Sequence, residues 1–197
     1  TIIVSLLPTG GVSSVYYADR IYQLPGGVIA IAAGTVLLPE MSRRFAAGDN
    51  KSAYDAQNRT MALTAALSAP FFVAFVVIAD IIMRGVFLRG AFDEAAASAA
   101  ARVLTAYGWG LPAAVLVRSA VASFQARGDT TTPMIVSLLA VAVNVGLKIL
   151  LFRPYGAAGL AIATSVGAWI NLLLLVGLAV KRGSMQPDAI TGRVFAA

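Results

Sequence analysis

Long apolar runs separated by short polar stretches are the main pattern of this chain. A helix that crosses the hydrocarbon core of a bilayer needs about 20 mostly apolar residues. On that scale, we predict transmembrane helices over 12–38, 60–83, 95–124, 134–152 and 157–180. A shorter apolar run, 2–7, predicts the end of a further span in which the chain opens. No alternation of period 2 is sustained, so the predicted fold class is all-α: a membrane bundle of six helices, one of them a stub.

The polar stretches between the runs predict connectors. They lie at 40–59, at 84–94, at 126–133 ("ARGDTTTP") and at 153–156 ("RPYG"), and a softer break is predicted within 95–124, at "YGWGLP". We predict one transmembrane domain over 1–182 and a cytoplasmic tail or linker over 183–197. Eight Lys and Arg residues flank the predicted spans on the side of 40–59, against five on the other side. Because cytoplasmic loops carry an excess of Lys and Arg, we expect 40–59 and the tail in the cytoplasm.

Small residues recur every four positions in the last span, at Gly159, Ala163 and Gly167. This spacing lets two helix backbones approach closely in lipid. Asn144 and Asn171 are expected to hydrogen bond to neighbouring helices. These features predict compact packing and carry no information about a ligand.

Composition narrows the possible functions. The chain is 59% hydrophobic and 12% charged, whereas soluble domains carry about 25% charged residues. It contains no Cys and no His, which excludes disulfides, thiolate or imidazole metal sites and histidine proton relays. The net charge of +6 comes from residues that flank apolar runs, which argues against a nucleic-acid partner. The chain has no nucleophile-elbow glycine pattern, no phosphate-cradling loop and no metal-ligand set, so we predict no enzyme, no catalytic residue, no metal and no cofactor.

A charged pair, Asp19 and Arg20, lies inside the predicted helix 12–38. Neighbours in sequence do not face each other on a helix, so the two charges cannot fully satisfy one another. Tyr16 and Gln23 lie at helical spacing from both and can serve either charge. The four residues predict a polar stripe on one side of the helix.

Charge inside a membrane is costly, about 2.5–3.5 kcal/mol per residue on insertion scales. From the residues alone, two placements of Arg20 stay open: a water-filled cavity, or a position from which the side chain reaches the headgroups. Helix interruptions often lie beside transporter substrates, so Pro25, Gly26 and Gly27, which predict an interrupted helix and a hinge, favour the cavity. Arg118 is the second intramembrane cation, and it too could reach the surface.

Three segments together are similar to a known family. They are "GGVSSVYYADRIYQLPGGVIAIAAGTVLLPEMSRRFAAGD", "RGAF" and "YGWGLPAAVLVRSAVASFQARGDTTTP". They resemble the MurJ/MviN lipid II flippases of the multidrug/oligosaccharidyl-lipid/polysaccharide (MOP) exporter superfamily. The likeness extends over about residues 1 to 182, and "YYADRIYQLP" and "ARGDTTTP" are its most specific pieces.

The resemblance implies a second lobe of a two-lobed flippase, with this chain covering helices seven to twelve and the first lobe absent. It implies a multi-pass protein of the bacterial inner membrane that moves lipid II, an undecaprenyl diphosphate-linked peptidoglycan precursor, by alternating access. The implied partners are lipid II, membrane lipids and the missing N-terminal lobe. Arg20 matches a cavity residue that holds the diphosphate, with Asp19 beside it, and Arg118 matches a commonly basic position. Gln23 stands where some members carry glutamate.

Two other functions stay open from the sequence. One is a related exporter of drugs or of another lipid-linked polysaccharide, although a drug antiporter would more often show a carboxylate cluster and only Asp19 is a candidate. The other is a non-transporting membrane scaffold in cell-wall assembly. Replacing Arg20 by a neutral residue distinguishes a scaffold from a transporter, because in a scaffold the change would affect nothing but assembly.

Overall fold

The computed structural model describes residues 11–90 and 92–182, with the backbone alone for 30–38. All regular structure in these residues is helical, as predicted. The elements are α1 (Gly11–Ala46), α2 (Asn50–Val77), α3 (Ala79–Phe87), α4 (Glu94–Gly108), α5 (Leu111–Gln125) and α6 (Thr131–Lys181). The predicted stub at 2–7 and the predicted tail at 183–197 lie outside the described residues, and the division into these two domains stays a prediction.

Three helical stretches of the described chain are long and apolar enough to cross a membrane: Asn50–Val77, Glu94–Gln125 and Thr131–Lys181. The third has 51 residues, a length of about 77 Å if straight, whereas the hydrocarbon core is about 30 Å thick. It bends at Gly156, whose φ of 52° and ψ of −127° are not helical. Glycine adopts such a positive φ readily. Because the backbone leaves the helical region here, α6 consists of two helices joined at Gly156, and the predicted turn at 153–156 is confirmed.

The two halves of α6 pack against each other in antiparallel fashion. Gly159, Ala163 and Gly167 are all buried, and a Cβ on Gly167 would lie 2.8 Å from Asn144 Nδ2. The same nitrogen donates a hydrogen bond to the Ala163 carbonyl at 3.2 Å. The predicted close approach at the small residues and the predicted interhelical bond of Asn144 are therefore confirmed.

The polar stretch 40–59 is not the connector we predicted. Helix α1 continues to Ala46 and α2 begins at Asn50. Within α1, Arg44 forms an ion pair with Glu40 at 2.6 Å, one helical turn away. The Asp49 carboxylate caps α2 by accepting from the Ser52 N–H at 3.1 Å. Charged residues can extend a helix beyond the hydrocarbon when their spacing allows such pairs, which is why polarity alone misplaced the helix ends.

The predicted interruption at Pro25, Gly26 and Gly27 is also wrong for the backbone described here. Helix α1 passes through Pro25 without a break, and neither glycine has a positive φ. Proline removes one helical hydrogen bond but is compatible with helical φ, so its presence did not require a gap. The break predicted at "YGWGLP" is confirmed, because α4 ends at Gly108 and α5 starts at Leu111.

Two main apolar cores hold the bundle together. One packs α1, α3 and α4 against the start of α5 around side chains such as Leu104 and Met83, and it includes Phe75 of α2 and Ala161 of α6. The other joins α2, α5 and α6 around Phe124, Met61 and Leu172. The outer face of α6 leaves large apolar side chains exposed, Leu138, Ile149 and Leu150 among them. An apolar exterior of this kind is suited to contact with lipid tails.

Candidate functional site

The polar stripe on α1 forms two hydrogen bonds along the helix. The Arg20 guanidinium donates to the Tyr16 hydroxyl at 2.7 Å. The Gln23 amide donates to the Asp19 carboxylate. Both pairs are four residues apart, so helical spacing selects one partner for each charge. The partners are Tyr16 and Gln23, as their helical spacing predicts.

Arg20 keeps its charge accessible. Its side chain is exposed, and its guanidinium carbon lies 4.9 Å from the centroid of the Tyr16 ring. Within the part of the chain that the structure describes, no ion pair involves Arg20. The tyrosine orients the cation through its ring and its hydroxyl without neutralising it, which leaves guanidinium donors for an anion.

A cavity of about 320 Å³ lies between α1 and α5. Helix α1 contributes Gln23, Gly26 and Gly27, and α5 contributes Arg118; the other lining residues are Tyr22, Leu111, Ala114 and Val115. The structure therefore brings together one of the two predicted cations, the predicted amide and two of the three hinge residues. Gly26 and Gly27 have no side chain, which leaves part of the cavity open. A Cβ on Gly27 would meet no atom within 4 Å.

Tyr16, Asp19 and Arg20 do not line this cavity. Arg20 lies on the same face of α1 as Gln23 and Gly27, three and seven residues before them. Three residues correspond to a rise of about 4.5 Å, so Arg20 follows the cavity wall outward by one turn. Arg20, Gln23 and Gly27 thus form a continuous face of α1, on which Arg20 lies outside the cavity, and Arg118 of α5 lines the cavity opposite this face.

Several residues that line this cavity were not predicted from the sequence. Tyr22 stacks on Tyr107 of α4, with ring centroids 5.0 Å apart and an interplanar angle of 25°. Ala114 lies four residues before Arg118, on the same face of α5. A small residue one turn before an intramembrane cation is the signal that could have placed this face against a cavity.

The break between α4 and α5 is held by α6. Ser165 donates to the Ala106 carbonyl at 2.6 Å, and the Trp169 indole donates to the Trp109 carbonyl at 2.8 Å. Helix ends leave carbonyls without intrahelical partners. The two bonds satisfy such carbonyls and fix the start of α5, the helix that carries Arg118.

These features define a class: an α-helical, multi-pass membrane protein with a cationic face beside a cavity between its helices. A family model for lipid II flippase MurJ matches residues 1–197. The chain belongs to this family, whose members are transporters and not enzymes.

Individual relatives agree with this assignment. The chain is 45% identical over 179 residues to a probable lipid II flippase MurJ of Rhizobium meliloti, covering 91% of this chain and 34% of the relative. It is 34% identical over 190 residues to lipid II flippase MurJ of Burkholderia cenocepacia, covering 95% of this chain and 36% of the relative. A solved structure of lipid II flippase MurJ in an inward closed conformation matches with a TM-score of 0.83 and 28% identity, over 98% of this chain and 41% of that one. The chain therefore spans about a third of the length of the curated relatives it matches.

Proposed function

We propose that this chain is part of a flippase that moves lipid II, the undecaprenyl diphosphate-linked peptidoglycan precursor, across the bacterial inner membrane by alternating access. Membership of the family supports the substrate. Arg20 gives the main support for the role of the site. Its exposed guanidinium is oriented by the Tyr16 hydroxyl at 2.7 Å and lies on the face that leads to Arg118.

The chemistry of the substrate fits this face. A diphosphate is a dense anion, and a guanidinium binds phosphate oxygens through paired, charge-assisted hydrogen bonds. Between apolar helices the attraction is much less attenuated than in bulk water. Arg20 and Arg118 would both donate to the diphosphate, while the lipid tail stays in the membrane. Transport of this kind needs reorienting lobes and no covalent chemistry.

Asp19 and Gln23 would act as neighbours of the cations. The Asp19 carboxylate is engaged by Gln23, which keeps it from competing with the diphosphate for Arg20. Pro25, Gly26 and Gly27 would serve as the hinge when the lobe changes orientation, because a helix without one hydrogen bond and with adjacent glycines bends more readily.

The partners follow from length. Since the relatives are about three times as long as the matched segment, we propose that the rest of the protein supplies a facing lobe. This lobe would complete the cavity and add cations for the second phosphate. Membrane lipids would surround the outer face of α6.

Replacement of Arg20 in the full-length protein tests the proposal. We expect Arg20→Ala to abolish growth of cells that depend on this protein, at an unchanged level in the membrane, and Arg20→Lys to restore part of it. Arg89→Ala, which removes an exposed arginine from the connector between α3 and α4, is the matched control and should support normal growth. Parental growth of the Arg20→Ala strain would refute the role of this residue.

A further inference from the structure

A second surface cavity, of about 410 Å³, lies where α2 gives way to α3 and both face α4. It is on the side of the bundle away from the Asn50 end of α2. Its lining combines apolar and polar groups: Val76, Val77, Ala79, Asp80, Ser98, Ala101, Arg102 and Thr105. Nothing in the flippase site uses these residues.

One wall of the cavity is a donor set for a phosphate. Arg102 is exposed on α4, with Ser98 four residues before it and Thr105 three residues after it, so the three share a helix face. A guanidinium flanked by two hydroxyls offers several donors to phosphate oxygens. In the described ranges, no ion pair engages Arg102.

The other wall carries a negative charge. Asp80 of α3 contacts Arg84 Nε through its Oδ2 atom at 2.5 Å, and its side chain is 51% exposed. Half of the Asp80 side chain remains exposed beside this ion pair, so the carboxylate is open to a further donor. The cavity lining therefore includes one cation, Arg102, and one carboxylate, Asp80, whose partner Arg84 does not line it.

The depth of the cavity suits a lipid headgroup. The stretch Glu94–Gln125 has 32 residues, about 48 Å of helix, so a core of about 30 Å leaves about six residues outside at each end. Arg102 follows Glu94 by eight residues and lies near the boundary. Val77 and Ile81, beside the cavity, are 72% and 67% exposed and offer an apolar surface to acyl chains.

We propose that this cavity binds the headgroup of a phosphatidylethanolamine molecule. Its phosphate is held by Arg102, Ser98 and Thr105, its ammonium group by Asp80, and its acyl chains lie along Val77 and Ile81. A phosphoethanolamine carries one positive and one negative group, which complements the two walls. A choline group cannot donate hydrogen bonds to the carboxylate, and a glycerol headgroup has no positive charge. This site is independent of the proposed flippase function.

Native mass spectrometry of the purified full-length protein tests the site, with phosphatidylethanolamine, phosphatidylglycerol or phosphatidylcholine added separately. We expect the parent protein to retain phosphatidylethanolamine in preference to the other two. Arg102→Ala should weaken its retention about tenfold, as expected for loss of a charge-assisted contact. Asp80→Asn should abolish the preference over phosphatidylcholine. Arg153→Ala, which removes an exposed arginine outside the cavity, should change neither value.

Three results would overturn the proposal: no preference in the parent protein, unchanged retention in both cavity variants, or loss in Arg102→Ala with an unchanged preference in Asp80→Asn. The last would identify a general phosphate site. A Ser98→Ala, Thr105→Ala double variant leaves both charges in place and covers the case in which Arg102→Ala does not fold; it should weaken retention of phosphatidylethanolamine without removing the preference.

Discussion

Ser165 donates a hydrogen bond of 2.6 Å to the carbonyl of Ala106, 59 residues earlier in the chain. The bond lies where α4 ends and links the broken helix to α6. Both residues are buried, so no water competes for the carbonyl. The arrangement of the chain between α4 and α5 is therefore stabilised by the Ser165 hydroxyl of α6.

Ser165→Ala should therefore destabilise the protein. A buried carbonyl that loses its partner costs about 1–3 kcal/mol, and we expect the thermal unfolding temperature of the purified full-length protein to fall accordingly. Ser123→Ala is the control, because Ser123 is also buried but bonds to Ala120 within its own helix. An equal fall in the two variants would contradict a special role for the bond between helices.

Gly110→Ala should separate α5 from α6. A Cβ at this position would lie 2.6 Å from Ser165 Oγ and 2.7 Å from Ser165 Cα. Because the second atom belongs to the backbone, a rotamer change cannot relieve the clash, and overpacking of this kind costs about 1–3 kcal/mol. Thermal unfolding should detect the loss. Gly146→Ala has no atom within 4 Å of the new Cβ and should leave stability unchanged or raise it by up to about 1 kcal/mol.

The connector before α6 should show acid sensitivity. The Thr132 N–H and hydroxyl donate to the Asp129 carboxylate at 3.0 and 2.7 Å. These bonds, helped by Arg182, lower the pKa of Asp129 below its ordinary 3.8. A lowered folded-state pKa means that the unfolded chain binds the proton more readily, so this stability is present above pH 3.8 and is lost as the pH falls through the folded value.

Hydrogen exchange of the connector amides around Thr132 can follow this loss as the pH is lowered from neutral to below 3.8. Protection in the parent protein should decline toward the acid end. In Asp129→Ala it should be low at every pH, because alanine offers no acceptor to the Thr132 N–H and hydroxyl. A decline of the same size in both proteins would show that another group is responsible.

Arg118→Ala should weaken binding of a lipid-linked diphosphate to the full-length protein. Loss of one charge-assisted contact corresponds to about tenfold in affinity. Arg118→Lys keeps the charge without the paired donors and should lose less. Binding of labelled lipid II to purified protein in nanodiscs measures the difference, and an unchanged affinity in Arg118→Ala would remove Arg118 from the proposed path.

The helical fold and the packing positions could be predicted because they depend on local patterns. Apolar runs of membrane length located most of the spans, although the run 60–83 is divided between α2 and α3 at Ile78. The spacing of Gly159, Ala163 and Gly167 identified a face that does approach Asn144. Helical spacing also found the partner of Arg20 in Tyr16. Each of these inferences needs only residues within one helix or a general rule for small residues in lipid.

What could not be predicted depends on contacts between distant segments. The hydroxyl that satisfies the Ala106 carbonyl comes from α6, and no local pattern selects Ser165 for that role. The cavity wall needs α1 against α5, which sequence spacing does not reveal. Pro25 signalled a break, yet α1 remains helical through it, since proline fits a helix once neighbouring segments hold the chain in place.

Arg182 and Asp129 form an ion pair at 3.1 Å, which joins the end of α6 to the connector just before its start. The 51-residue α6 begins two residues after Asp129, reverses direction at Gly156 and ends near Asp129 again. Because Arg182 and Asp129 join the two ends of the hairpin, the connector after α5 is attached to both halves of α6. A movement of α6 relative to α5 would strain this ion pair, which is partly exposed and therefore of modest strength.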